Sequence, residues 1–327
     1  MEFVRPMLGL APVLCFLGAL VLLDSYKLVR LRSVVAAVLA GMLIAGTAYL
    51  LNGWLLQRFE FQFYTRYVSP LLEEALKALV IVALIRAHRI GFLVDAAIFG
   101  FAVGAGFAVV ENLDYLSLVP HAGLGTWLVR GFGTAIMHGG ATAIFGVASV
   151  ALLGRSYAYL PGFGLAAVLH SLFNHFFFSP LASTFGVALI VPLLLNAVFA
   201  RSEAAVGDWL GRGFDADAEM LELINSGQLS DSPVGRYLHT LKDRFQGLVV
   251  ADLLAYLRLY TELALRAKGV LMMRESGFDV PVDEATREKF AELRYLEKSV
   301  GRTGLLAIQP MLHMSHEDLW QLYMLGK

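Results

Sequence analysis

The stretch GFLVDAAIFGFAVGAGFAVVENL, residues 91–113, has Asp95 and Glu111 as its only charged residues. A helix needs about 20 mainly apolar residues to cross a bilayer, because the hydrocarbon core is about 30 Å thick and each residue rises about 1.5 Å. Residues 91–113 meet that requirement. Similar windows fall near 7–23, 34–56, 68–85, 127–153, 159–178 and 183–200. The sequence therefore predicts an all-α, polytopic transmembrane helix bundle of about seven spans over residues 1–200. A soluble helical domain is expected over 201–327.

Composition agrees with this division. The 327 residues are 57% hydrophobic and 16% charged, against about 25% charged in a globular domain. Residues 1–200 hold 11 Lys+Arg and 8 Asp+Glu, and residues 201–327 hold 15 and 19. Neither part carries the basic stripe that nucleic-acid binding needs. Cys15 is the only cysteine, so an intrachain disulfide and a cysteine-rich zinc site are both excluded. The first apolar stretch, Met7 to Leu23, lacks a small-x-small cleavage pattern and reads as a retained span.

Small residues recur within the windows: Gly100, Gly104 and Gly106; Gly139, Gly140 and Gly146; Gly162 and Gly164. They read as close helix contacts. The fifth window is long enough to tilt or break at Gly131, Gly133, Gly139 or Gly140. Lys27, Arg30, Arg32, Arg86, Arg89, Arg155 and Arg201 fall on one side, and Arg5, Arg58 and Arg66 on the other. The richer side should be cytoplasmic. That orientation predicts an outside N-terminus and a cytoplasmic tail in a multi-pass protein of the cell membrane. In the tail, Asp217–Asn225, Val249–Met273, Asp283–Val300 and Glu317–Met324 show helical periodicity. Breaks are expected at Ser230–Gly235, Gly277–Pro281 and Gly301–Pro310. No catalytic motif is found there, and the tail reads as a regulatory or packing domain.

Ionisable groups inside a membrane are costly and mark function by default. On the third span Glu73, Glu74 and Lys77 lie within one turn, so Lys77 can pair with either glutamate. Adjacent positions point about 100° apart, which lets one carboxylate face the bundle while the other holds Lys77. Pro70 is expected to open this helix. Glu111 follows Phe107 by one turn and precedes Asn112. His138 lies about 11 residues into the fifth window, or roughly 16 Å deep. His170 and Asn174 share a face of the sixth. Asp95 and His175 read as interfacial, and Asp114 as solvated. Under the predicted orientation the main groups all fall between the midplane and the outer face, as one shared site would require.

Hydrolysis needs a base for the water proton and a donor for the developing oxyanion. Glu73 or Glu74 suits the first role, and His170 with Asn174 the second. Alternatively Glu111, His138 and His170 would hold a zinc ion with an open position for water. No His-Glu-x-x-His element supports the metal version.

These residues resemble the PrsW-type intramembrane proteases. Glu73-Glu74-Ala75-Leu76-Lys77 is similar to their EExxK motif, and Phe107 to Glu111, followed by Asn112, to their FxxxE. His138 corresponds to their isolated histidine, and His170 to Asn174 to their HxxxN/D. The resemblance covers about residues 65–180 and leaves out the tail. The related CAAX-prenyl proteases and bacteriocin-processing or immunity proteins usually have histidine where this chain has Glu111. The resemblance implies cleavage of a single-span membrane protein, in the founding case an anti-sigma factor cut on its extracytoplasmic side. It leaves zinc-dependent and metal-free glutamate chemistry both open. On this reading Glu73 is the base, Glu74 supports it or exchanges roles with it, and Lys77 holds the pair. Glu111 and His138 then orient water or bind metal, while His170 and Asn174 stabilise the oxyanion. Competing readings are a proton-coupled carrier, a haem protein using His138 and His170, and an inactive binding or immunity protein.

Overall fold

A computed structural model describes residues 3–119, 121–278, 281, 283–312 and 320. Among these residues the regular structure is helical, without strands. The chain divides into two compact units, Met1–Glu203 and Ala204–Lys327.

The first unit contains α1 (Val4–Leu22), α2 (Leu31–Leu55), α3 (Ser69–Arg86), α4 (Leu93–Leu118), α5 (Ala135–Ala151), α6 (Tyr159–His175) and the start of α7 (Pro180–Asn225). Helix α4 is apolar on all sides and is the central element, buried from Val94 to Ala108. It packs most extensively on α5 and α2. Helices α2 and α7 turn Leu39, Leu43, Phe185, Leu189, Ile190 and Leu193 outward. Such exposed apolar faces suit lipid and would be a liability in water.

Among the described residues, five helices are long and apolar enough to cross a membrane: α1, α2, α4, Leu124–Ala151 and α7. Helices α3 and α6 fall outside that group. The first carries Glu73, Glu74, Lys77 and Arg86, and the second has 17 residues including His170, Asn174 and His175. The last apolar window does not end its helix near residue 200, since α7 continues as one helix to Asn225.

Pro70 lies in the first turn of α3, as expected, although the chain is already helical before it. The chain turns helical at Phe61, where the Glu60 carboxylate accepts the Gln62 and Phe63 N–H groups. It then passes through a π-helical turn, Tyr64–Val68, into α3. A proline inside a helix has no N–H for the carbonyl four residues back, and its ring crowds that carbonyl. A widened turn just before Pro70 relieves the crowding. The long fifth window is likewise built from Leu124–Leu128, a π turn at Val129–Thr134 and then α5. The irregularity lies at Gly131 and Gly133, while Gly139 and Gly140 stay in regular helix. Gly131 abuts the Leu8 carbonyl, where a Cβ would overlap. That carbonyl lacks its own helical donor because residue 12 is proline.

Gly104 brings α4 onto α5 at the level of His138, and a Cβ there would meet the His138 carbonyl and the Gly139 Cα. Overpacking of this kind costs about 1–3 kcal/mol. Gly104→Ala is therefore expected to lower the thermal midpoint in detergent and to shift His138. An unchanged midpoint would mean that the two helices can separate without cost.

In the second unit, Ser232 caps α8 (Pro233–Leu241), a helix that the sequence reading did not anticipate. Helix α9 (Gly247–Glu275) packs on α10 (Glu284–Ile308) through Leu253, Leu257, Leu293, Leu296 and Val300. Gly301, at φ 65° and ψ 176°, is non-helical and separates two helical stretches within α10, so the break expected from Gly301 is present. Apart from Trp320, the predicted helix Glu317–Met324 lies outside the described residues. A buried ion pair, Lys268 to Asp217 at 2.5 Å, sits beside Trp209 in this unit.

Candidate active site

Glu73, Glu74, Lys77, Glu111, His138 and His170 come from α3, α4, α5 and α6 and meet in one buried cluster. Lys77 and Glu74 are almost without solvent contact, at 0% and 1% side-chain exposure. Lys77 Nζ donates to Glu74 Oε1 at 2.5 Å and lies 3.0 Å from His138 Nδ1. It also sits 4.6 Å above the centre of the Phe107 ring. Glu74 Oε1 lies 2.9 Å from His170 Nδ1 as well. The two imidazoles meet edge to face, with ring centres 4.7 Å apart.

The partners assign the protons. An ammonium group only donates, so His138 Nδ1 accepts and its proton sits on Nε2. From there it is donated to Glu111 Oε2 at 2.9 Å. An ionised carboxylate only accepts, so His170 donates from Nδ1 to Glu74, which in the neutral ring leaves the lone pair on Nε2. That nitrogen is 4.0 Å from Glu73 Oε2. The other oxygen of Glu73 accepts from Asn52 Nδ2 at 3.0 Å and from Ser69 Oγ at 2.6 Å. The adjacent glutamates thus differ in kind. Glu74 is locked by a cation, whereas Glu73 is held on one oxygen by neutral donors and leaves the other facing His170.

Glu111 is the most open member of the cluster, with 31% of its side chain exposed. Its Oε1 is 3.2 Å from the Arg130 guanidinium. Arg130 donates through Nε to Asn112 Oδ1 at 2.8 Å and lies 3.9 Å over the Tyr115 ring. Asn112 Nδ2 in turn donates to the Gly9 carbonyl of α1 at 2.7 Å. Asn112 is thus one step removed from the cluster. Sequence reasoning missed Arg130, although a lone arginine inside the apolar window 127–153 was a legible signal.

Asn174 is placed elsewhere. Its Nδ2 donates to the Thr65 carbonyl at 2.9 Å, and Ser171 Oγ donates to the Arg66 carbonyl at 2.6 Å. Both acceptors belong to the first π turn. The Ser69 N–H goes to Tyr64 rather than to Thr65, and Pro70 has no N–H for Arg66. Asn174 and Ser171 therefore satisfy the two carbonyls that the irregular turn releases, clamping α6 to it. His175, on the same face as Ser171, contacts the Ser171 carbonyl at 2.7 Å and the Tyr67 hydroxyl at 3.0 Å. Asp95 lies apart from the cluster and accepts the Gly91 and Phe92 N–H groups at the start of α4.

The trio that converges as metal ligands would is Glu73, His138 and His170, whose ligand atoms all lie within 4.8 Å of one another. Glu111 adjoins this trio through His138. Two imidazoles and one carboxylate form a donor set that suits zinc. Both nitrogens of His138 already have partners, Lys77 and Glu111, so a metal would replace one of them.

In comparison with known proteins, the family model for the PrsW family intramembrane metalloprotease matches residues 30–198. No curated protein and no solved structure matches the chain.

Proposed function

The chain belongs to the PrsW family of intramembrane metalloproteases, and from that premise we propose that it cuts a single-span membrane protein with Glu73 as general base. The observation that carries this reading is the division of labour between the two oxygens of Glu73. Oε1 is held by Asn52 and Ser69, while Oε2 faces His170 Nε2 across 4.0 Å. That distance is too long for a direct hydrogen bond and suits a bridging water. Such a water would donate one proton to each acceptor and keep a lone pair for attack on a carbonyl carbon.

Glu73 then takes the water proton as the new C–O bond forms. The proton passes to the amide nitrogen as the C–N bond breaks, giving a carboxylic acid and an amine. Lys77 and Glu74 hold His170 in its tautomer. His138, held at Nδ1 by Lys77, would offer its Nε2 proton to the oxyanion in place of Glu111, its present acceptor. Asn174 keeps α6 against the π turn and acts through position rather than by touching the reacting atoms. A zinc ion held by Glu73, His138 and His170 would polarise the carbonyl and ease ionisation of a bound water. The Lys and Arg distribution favours a site in the outer half of the membrane and a cytoplasmic tail. A membrane-anchored regulator cut on its outer side, of the anti-sigma type, fits that placement.

The carrier reading has no inverted repeat to support it. The haem reading conflicts with the edge-to-face contact of His138 and His170, because a macrocycle between them would hold the rings farther apart.

The test is cleavage of a panel of tagged single-span host proteins by purified protein in liposomes, beside Glu73→Gln, with bound metal assayed. Cleavage lost in the variant supports the proposal. Stoichiometric zinc would mark the metal-dependent form. Equal behaviour of the two proteins across the panel would overturn the assignment.

A further inference from the structure

We propose that Asn52 and Tyr64 form a positioning relay that turns the free oxygen of Glu73 towards the histidine pair. The inference rests on Glu73 being the base. Asn52 lies near the end of α2, outside every motif that marks the site. An amide in an apolar segment is costly unless bonded, and here both ends are engaged. Nδ2 donates to Glu73 Oε1 at 3.0 Å, and Oδ1 accepts the Tyr64 hydroxyl at 2.5 Å.

The chemistry allows one direction for this chain. An ionised Glu73 only accepts, so the NH2 end of Asn52 must face it. The Tyr64 hydroxyl donates to the oxygen end and fixes the amide against a flip. Tyr64 is itself buried, at 4% exposure, and belongs to the π turn that Asn174 and Ser171 clamp. Ser69 supports the same carboxylate oxygen from within α3 at 2.6 Å. With Oε1 held from two directions, rotation of the carboxylate is restricted and Oε2 stays on the side of His170 Nε2. Neutral donors suit this task, because a cation in place of Asn52 would pair with Glu73 as Lys77 pairs with Glu74.

Geometry supplies catalysis only when the reacting groups are held in place, and a shift of about 1 Å can cost about 100-fold. The probe is the single-span protein of the panel that the wild type cuts, in the same liposomes. Asn52→Leu keeps volume and removes the bond, and it is expected to lower kcat by about 10–100-fold, with KM almost unchanged. Asn52→Asp keeps the shape but presents an acceptor to Glu73, and its loss should be at least as large. Tyr64→Phe should lower kcat less, and should cost nothing further when added to Asn52→Leu, because Tyr64 acts through Asn52.

Full kcat in Asn52→Leu and Asn52→Asp, or losses that simply add in the double variant, would overturn the relay. If Asn52→Leu does not fold, Tyr64→Phe decides, since it keeps every ring contact; an unchanged kcat there overturns the proposal. Glu73→Gln separates the two levels. An inactive Glu73→Gln beside a fully active Asn52→Leu removes the relay alone. An active Glu73→Gln, or no cleavage of any panel protein by the wild type, removes the base assignment and the relay with it.

Discussion

Glu73→Gln is expected to lower kcat by about 100- to 10,000-fold, the range that a positioned general base supplies, with the folded protein retained. Glutamine has nearly the same shape. Its carbonyl oxygen can still accept from Asn52 Nδ2 and Ser69 Oγ, as Glu73 Oε1 does now. What is lost is the proton acceptor at the position facing His170. Glu74→Gln should behave in the opposite way. It leaves the Lys77 ammonium, which has 0% side-chain exposure, without its counter-ion, so its first effect is on stability. Two neighbouring residues of the same type are thereby separated by which measurement each one moves. Cleavage by Glu73→Gln within a factor of a few of wild type would shift the base to Glu111, the most open carboxylate of the cluster. Zinc content measured in the same preparations shows whether Glu73 also holds metal.

The bundle was legible because hydropathy alone reports a span, whatever the neighbouring helices do. The end of α7 was not. Its apolar stretch stops near residue 200, but the backbone can stay helical across the change in composition, since charged and apolar residues share similar helix propensities. The sequence also showed that Glu73 and Glu74 point in different directions, because adjacent helix positions diverge by about 100°. Which of them meets Lys77 depends on how α3 is rotated against α5 and α6, and that is a tertiary property. Asn174 was expected to be an oxyanion donor on the strength of sharing a face with His170. Its actual partner, the Thr65 carbonyl, is available only because the π turn diverts the Ser69 N–H to Tyr64. Pro70 was visible as a helix start, but the π turn that precedes it was not. Asn52 and Arg130 were each polar residues in apolar windows. The same argument that singled out Glu111 applied to both.

Lys77→Met is expected to destabilise the first unit by about 3–5 kcal/mol, the usual cost of removing one partner from a buried ion pair. Among the described residues Glu74 would be left with His170 as its only close donor, in a site with 1% side-chain exposure. Desolvation explains the size of the effect, since a carboxylate buried without its cation keeps the full cost of leaving water. The double variant Glu74→Gln/Lys77→Met should recover most of that loss, because a neutral pair of similar volume has no charge to strand. The amide carbonyl introduced by Glu74→Gln could still accept from His170 Nδ1. Activity should not return with stability. Without Lys77 nothing holds His138 Nδ1 as an acceptor, so the Nε2 proton directed at Glu111 is no longer fixed. Thermal unfolding in detergent and cleavage of the panel protein, measured on both variants, check the two halves of the prediction. A single variant as stable as wild type would mean that Glu74 is buried as a neutral acid, and Lys77 would then lose its role in orienting His170. A double variant that regained full cleavage would free the mechanism from Lys77 altogether and leave the ion pair a purely structural one.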